Sequence, residues 1–279
     1  MSGMVEGIAG AIEYIERNLD GEIDIARAAA AASVSPFYFQ RIFHALCGMP
    51  VGEYIRGRRL TLAAQELASG GARVIDIALK YGYDSPDSFA RAFTRFHGVG
   101  PSAARQPGAR LNAAAPLRIR LTLEGGTMLE YRIVDKEQFT VMGTLRRFNS
   151  ETSYAEIPKY WQEHMASEAA KTVCGMYGIC FDMENSDFDY MIADNYLPWN
   201  DVPEGFVTRV IPASTWAVFP CRGPLPSALQ DVNTRIFGEW LPASRAYRMA
   251  RGISVEMYAP PAENPADSYS EIWIPVEKA

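Results

Sequence analysis

The stretch SPDSFARAFTRFHGVG, Ser85 to Gly100, stands beside SPFYFQRIFHALCGMP, Ser35 to Pro50, as a second copy of the same phrase. At an offset of 50 residues, six of the fourteen positions from Ser35 to Gly48 are identical: Ser35/Ser85, Pro36/Pro86, Phe39/Phe89, Arg41/Arg91, Phe43/Phe93 and Gly48/Gly98. Each copy opens on a serine N-cap followed by proline, whose missing N–H is harmless at the first helical position. Each stops at glycine, which leaves a helix readily. The spacing therefore predicts two equivalent helices. In the first, Phe39, Ile42, Phe43 and Leu46 make the buried face, with Phe37, Tyr38, Gln40, Arg41 and His44 on or near the other. In the second, Phe89, Ala92, Phe93 and Phe96 are buried, and Asp87, Ala90, Arg91 and Thr94 are not.

Short helices surround both copies. Val5, Ile8, Ile12, Ile15 and Leu19 fall three and four residues apart, one apolar stripe closed by Asp20-Gly21. An alanine-rich helix over Ile25 to Ala32 precedes the first copy, and Ile75, Ile77 and Ala78 begin a short helix before the second. Val51 to Ala68 reads as a longer connecting helix. Each copy is then helix, tight turn, helix, the helix-turn-helix plan, and the region is all-α. Two such units with an arginine at the same place suit successive major grooves, ~34 Å apart, because the guanidinium fork can grip guanine O6 and N7 together.

After Gln106 the text becomes QPGARLNAAAP, poor in bulky apolar residues, and the boundaries fall at 1–107, a linker 108–127, and 128–279. Beyond the linker the period changes. Leu129–Val134, Phe139–Leu145, Met176–Phe181, Phe188–Ala193, Thr215–Phe219, Ile253–Tyr258 and Tyr269–Val276 are short, aromatic or β-branched, and bounded by Gly, Pro, Asp or Asn, so they read as strands. Helices at Pro158–Lys171 and Ala228–Trp240 interrupt them. Strand, strand, helix, strand, strand occurs twice, and GMYGICF and GISVEMY share an offset of 77 residues. The second region is thus α+β, two pseudo-symmetric halves with a groove between them.

The chain has 279 residues, enough for two domains, and a net charge of -6. Residues 1–107 balance 11 Lys+Arg against 11 Asp+Glu, so the acidity lies in the second region. Phosphates would meet local patches: Arg41, Arg56, Arg58 and Arg59 against Glu53 alone, and three arginines with no acid over Ser88 to Arg105. No apolar run reaches the ~18 residues of a membrane span, and the N-terminus lacks the form of a secretion signal, so a cytoplasmic protein is expected. Cys47, Cys174, Cys180 and Cys221 show no zinc spacing, and neither a metal nor a cofactor is expected.

In the strand Tyr269-Ser270-Glu271-Ile272-Trp273-Ile274, alternation puts Tyr269, Glu271 and Trp273 on one face. Ser254, Glu256 and Tyr258 repeat the pattern. A carboxylate between aromatic rings is a receptor for an organic cation, with ~0.5–2 kcal/mol per ring from cation–π attraction. It is equally a place for a carboxyl of raised pKa.

IALKYGYDSPDSFARAFTRFHGVGPSAAR closely resembles the signature of the AraC/XylS family of transcription regulators, and SVSPFYFQRIFHALCGMPVGEYIRGRRL resembles its first helix-turn-helix. The resemblance covers about the first 105 residues. It implies seven helices, with base-facing places at Phe37, Gln40 and Arg41 in the first recognition helix and at Asp87, Ala90 and Arg91 in the second. Pro86 and Ala90 offer no side-chain hydrogen bond, which implies that the first copy reads more bases and the second acts as a clamp. PEGFVTRVIPASTWAVFPCRGP, RIFGEWLP and YSEIWIPV are similar to the GyrI-like, SOUL-related effector-binding family. That implies a duplicated strand-helix-strand-strand fold with a central cleft for amphipathic or cationic molecules and a cleft glutamate at Glu271. Pseudo-symmetry places Tyr190 opposite it, and Trp199, Trp216, Trp240, Glu256, Tyr258, Tyr269 and Trp273 are further candidates for the cleft.

Together the two resemblances imply a one-component regulator, not an enzyme: promoter DNA, a small-molecule effector and RNA polymerase are the expected partners. The alternative is a GyrI-like hydrolase or drug-sequestering protein. No catalytic triad, metal set or phosphate loop is present to support hydrolysis.

Overall fold

The computed structural model describes residues 2–117, 128–184, 187–197 and 201–279. They divide into two compact units, one gathering Phe37–Gly48 with Leu123–Ala279 and the other Ser2–Pro36 with Met49–Thr122.

The first hundred residues form six α-helices, α1 (Ser2–Arg17), α2 (Ile25–Ala31), α3 (Pro36–Cys47), α4 (Val51–Ser69), α5 (Val74–Lys80) and α6 (Pro86–His97). A single 3-10 turn, Ala103–Arg105, takes the seventh place. In the all-helical unit, Leu60, Ala63, Ala64 and Leu67 of α4 pack with Ile77, Ala78 and Tyr81 of α5 and its cap, and with Phe89 and Phe93 of α6. The alanines keep α4 close to its neighbours. Leu111 joins the edge of this core.

Part of the expected linker is docked. Residues 109–117 carry no helix or strand, yet Arg58 donates to the Ala114 carbonyl at 2.6 Å and the Ala114 N–H donates to Thr61 Oγ1 at 2.9 Å. The Leu117 N–H reaches the Tyr54 hydroxyl at 3.1 Å. Residues 118–127 lie outside the described residues. Two arginines of α4 are likewise tied to the fold. Arg59 donates to the carbonyls of Leu19 and Gly21 at 2.9 and 2.5 Å. Arg58, 8% exposed, grips Glu16 through Nε and Nη2 at 2.9 and 2.8 Å. They hold α1 to α4 and are withdrawn from the phosphate-facing patch expected of them.

The second region supplies β1 (Arg132–Lys136), β2 (Phe139–Asn149), α7 (Ser153–Met165), β3 (Tyr177–Glu184), β4 (Asp187–Asn195), β5 (Val207–Ile211), β6 (Ser214–Arg222), α8 (Ser227–Arg235), β7 (Tyr247–Met249), β8 (Ser254–Tyr258) and β9 (Tyr269–Lys278). The strands make one antiparallel sheet in the order β1-β6-β9-β8-β3-β4-β2-β5, with β7 beside β9. The two expected halves are present, and β3 and β8, one from each, meet at the centre. Two strands were not expected, β5 and β7. The first helix begins at Ser153 and carries Pro158 inside it. The second continues past Arg235 through a π-helical turn, Ile236–Trp240.

Directly paired residues share a face of a sheet. One row crosses it as Thr144, Ile192, Gly178, Glu256, Ile272 and Phe219. The next row runs Leu145, Met191, Ile179, Val255, Trp273 and Val218 and faces the opposite way. The second face is the dry core, where Trp216, Val141 and Tyr177 join it. The first carries both helices: Tyr160 of α7 donates to Thr144 Oγ1 at 2.7 Å, and Trp240 packs on Phe219 at 5.0 Å between ring centroids.

The Glu16–Arg58 pair gives a testable stability effect. Burial would raise the Glu16 pKa, but the Arg58 guanidinium and the Tyr54 hydroxyl outweigh it and hold the carboxyl below its ordinary value. Arg58→Met should destabilise the protein by about 2 kcal/mol in denaturant unfolding at pH 7, less than the ~3–5 kcal/mol of a fully buried pair because the Glu16 side chain stays 21% exposed. A carboxyl of depressed pKa stabilises above its unfolded value and stops doing so as pH falls through its folded value. The difference between variant and parent should therefore shrink toward pH 3.

Candidate functional sites

Helix α6 is built as the repeated phrase predicts. The Ser85 side chain accepts from the Ser88 N–H at 3.2 Å, Pro86 occupies the first turn, and Gly98 ends the helix at φ 77°. Phe89 and Phe93 are fully buried, and His97 Nε2 lies 3.1 Å from the Leu60 carbonyl. Asp87 and Arg91 stand exposed and Ala90 half-exposed. This outer face is open to a partner.

Helix α3 differs from its twin. Phe37 is 2% exposed and Gln40 5%, although both were expected on an open face, while Leu46, expected in the core, is 51% exposed. The cause is a second packing surface, because α3 belongs to the same compact unit as the sheet. Gln40 Oε1 accepts from the Ser150 hydroxyl at 2.5 Å, and the His44 ring stacks on Tyr154 at 4.4 Å. Tyr38 meets Phe237 at 5.9 Å. Arg41 lies over the rings of Phe37 and Phe237, at 5.3 and 5.9 Å, and donates to Cys180 Sγ at 3.3 Å. One-sided helical periodicity cannot anticipate a helix covered on two sides.

A cavity of about 1010 Å³ opens on the helical face of the sheet, with Arg41, Tyr154, Trp161, Glu256, Tyr258 and Tyr269 among its walls. Its polar centre is Glu256 on β8. The Tyr190 and Tyr258 hydroxyls donate to Glu256 Oε2 at 2.6 and 2.8 Å, and Trp161 Nε1 donates to the Tyr190 oxygen at 2.9 Å. Gly178 makes the room. A Cβ there would overlap the Tyr190 hydroxyl and lie 2.7 Å from Glu256 Oε2. Burial raises the Glu256 pKa, and the hydroxyls of Tyr190 and Tyr258 and the charge of Arg41 offset that only in part. Burial likewise pushes the neighbouring Cys180 thiol up to about 11, so it remains protonated at neutral pH.

Glu271 belongs elsewhere. Its cross-strand partner is Met257, whereas that of Glu256 is Ile272, so the two carboxylates are on opposite faces. Glu271 accepts from the Tyr269 hydroxyl, Trp273 Nε1 and Arg132 Nη2 at 2.6, 2.7 and 2.6 Å. Burial would raise its pKa, but these three donors hold it below the ordinary value. Its charge is met by the Arg132 guanidinium. Trp216 and Trp273 lie in the dry core, and Trp240 packs on Tyr131 and Phe219. Of the expected wall residues, Glu256, Tyr258 and Tyr269 line the cavity and Tyr190 backs Glu256. Trp199 lies outside the described residues.

The sequence reading missed Trp161, Tyr154 and Arg41 as cavity residues. A signal for the first two exists: Tyr154, Pro158, Trp161 and Met165 fall four, three and four residues apart, and all face the cavity. No group of three or more metal-binding side chains occurs among the described residues, nor is any described helix long and apolar enough to cross a membrane.

Residues 132–276 match the family described as integron-associated effector binding protein, and residues 28–107 match the helix-turn-helix domain family. The transcriptional activator AarP of Providencia stuartii is 42% identical over 98 residues, 35% of this chain and 73% of AarP. The transcriptional regulator Rob of Salmonella typhimurium is 24% identical over 282 residues, 95% of this chain and 96% of Rob. Among solved structures, tetraphenylphosphonium-bound SAV2435 aligns with 53% of this chain and 94% of its own, at 20% identity and a TM-score of 0.49. The chain is a DNA-binding transcription regulator and not an enzyme, and it belongs to the AraC-type regulators and, through residues 132–276, to the integron-associated effector binding protein family.

Proposed function

We propose that this regulator reads promoter DNA through α3 and α6 and that an amphipathic organic cation, held beside Glu256, sets how tightly it does so. Residues 1–107 are assigned to DNA, 128–279 to the cation and 108–127 to the connection. The observation that carries the ligand reading is the position of Glu256: a half-buried carboxylate whose Oε2 accepts, among the described residues, from two neutral hydroxyls, on the wall of a large cavity with Trp161, Tyr154 and Tyr258 beside it. Removing a carboxylate from water is unfavourable unless a cation compensates. A hydrophobic cation supplies the charge and covers the rings, each adding ~0.5–2 kcal/mol.

On the DNA side, Phe37, Gln40 and Arg41 of α3 and Asp87, Ala90 and Arg91 of α6 are the assigned contacts. Arg91 is exposed on α6, free of the packing that holds Arg58 and Arg59. RNA polymerase is the assigned protein partner and the cytoplasm the assigned compartment, since that is where a bacterial-type promoter is read.

Three measurements test this reading. Glu256→Gln should lower tetraphenylphosphonium affinity at least tenfold by calorimetry with the melting temperature little changed, because a glutamine oxygen still accepts from Tyr190 and Tyr258. Unchanged affinity would remove Glu256 as the selector. Because the Glu256 pKa is raised, its charged fraction grows as pH rises, so cation binding should tighten from pH 5 to pH 8 in the parent and stay flat in Glu256→Gln. On a duplex selected from a random-sequence pool, Arg91→Ala should weaken binding by ~1–3 kcal/mol, the range for loss of a bidentate base contact. An unaltered affinity at 150 mM salt, roughly physiological, would withdraw the α6 assignment.

A further inference from the structure

The residues of α3 assigned to DNA are the residues that hold it to the sheet. Gln40 is bonded to Ser150, Phe37 is buried, and Arg41 lies at the cavity wall with its guanidinium on Cys180. The charge of Arg41 acts on Glu256, and among the described residues no lysine and no other arginine lines the cavity. Helix α6 has none of these attachments: Asp87 and Arg91 are exposed on it. A base edge in a major groove needs the same guanidinium and amide that Cys180 and Ser150 occupy. One side chain cannot serve both.

We infer that the structure is a DNA-free, self-masked state, in which α3 occupies one end of the effector cavity with Arg41 as an internal cation, and that a cation reaching Glu256 displaces Arg41 and frees α3 for DNA. This rests on the ligand reading above and adds its regulation. The competition is local and chemical. Arg41 and an organic cation seek the same carboxylate and the same aromatic surroundings, so each weakens the hold of the other. DNA binding withdraws Arg41 from the cavity, and the cation then meets Glu256 without a rival. Cation and DNA accordingly bind with positive coupling, and the coupling is reciprocal. The rest of the α3 contact surface, Tyr38 on Phe237 and His44 on Tyr154, holds the helix while Arg41 is in place.

The contact supplies its own test. A Cβ built on Gly238 lies 3.6 Å from the Ala45 Cβ, within the ~3.5–4.5 Å that a disulfide spans, and among the described residues no other atom outside its chain neighbours and its own helical backbone lies within 4 Å of it. Ala45→Cys with Gly238→Cys, in a full-length chain carrying Cys47→Ser and Cys174→Ser, should form a disulfide on mild oxidation, seen by mass spectrometry of a digest. The oxidised form should bind the selected duplex at least tenfold more weakly than the same protein after reduction. In the reduced protein, saturating tetraphenylphosphonium should tighten duplex binding at least fivefold. Failure of the disulfide to form, or equal DNA affinity in the oxidised and reduced forms, overturns the masking. Loss of DNA binding on oxidation, with cation binding detected by calorimetry but leaving the reduced protein's DNA affinity unchanged, overturns the coupling. If calorimetry detects no cation binding to the reduced protein, the ligand reading fails, and the disulfide result still decides the masking.

Discussion

A carboxylate placed in the middle of a sheet must be met by donors, and the donors need space. Glu256 obtains both through Gly178. With no side chain on the neighbouring strand, the Tyr190 ring can cross from β4 and present its hydroxyl to Glu256 Oε2. Trp161 then fixes the Tyr190 oxygen from α7, and Tyr258 donates from two residues along β8. Both hydroxyls that donate to Oε2 are neutral, so the charge of the carboxyl is only partly compensated. Glu271 shows the contrast. It has a guanidinium on it, and its pKa is lowered where that of Glu256 is raised. Two glutamates of nearly the same sequence setting thus have opposite electrostatic roles.

Helix α3 inherits the same constraint. Its apolar positions Phe39, Ile42 and Phe43 are fully buried, as any recognition helix requires of its inner face. Phe37, Tyr38 and Gln40 are buried as well, on the side that reads DNA in the assignment made above. A helix with two apolar or adaptable faces can be stable in two settings, and the polar side chains between them then choose the partner. Its twin α6 has no second apolar face: Asp87, Arg91, Thr94 and Arg95 are all exposed. The two copies differ at Phe37/Asp87 and Gln40/Ala90, and it is Phe37 and Gln40 of α3 that are buried.

Most of the architecture was legible. The Ser-Pro start and glycine stop of each copy, the change from helical to alternating period near residue 128, and the repeated order of strands and helices all reflect local backbone chemistry. The structure departs from that reading where a nonlocal contact decides. Strand β5 is an edge strand with Arg209 and Val210 exposed, and three-residue β7 exists only because β9 offers it a partner. The first sheet helix starts at Ser153, before Pro158, and carries the proline as its sixth residue, where the Tyr154 carbonyl loses the N–H that would normally reach it. For the site, alternation placed Glu256 with Tyr258 and Glu271 with Tyr269 and Trp273, and both groupings hold. What alternation within a strand cannot give is the register between strands. That register put the two glutamates on opposite faces, with Glu256 on the side of the cavity.

Arginine at position 41 suits both environments that the proposal gives it. In the structure the guanidinium carbon lies 5.3 and 5.9 Å from the ring centroids of Phe37 and Phe237, and an N–H donates to Cys180 Sγ. In a major groove the same planar fork matches guanine O6 and N7. A lysine ammonium would keep the charge, but it is a compact, strongly hydrated point that neither lies along a ring nor bonds two acceptors in a plane. The same geometry limits how tight the mask can be. If α3 were docked ~100-fold more often than free, apparent DNA affinity would fall by about that factor, and a cation could recover no more than its own differential affinity for the released state. On the proposal made above, a thiol and a carboxylate already shared with two hydroxyls are what a small cation has to compete for with Arg41.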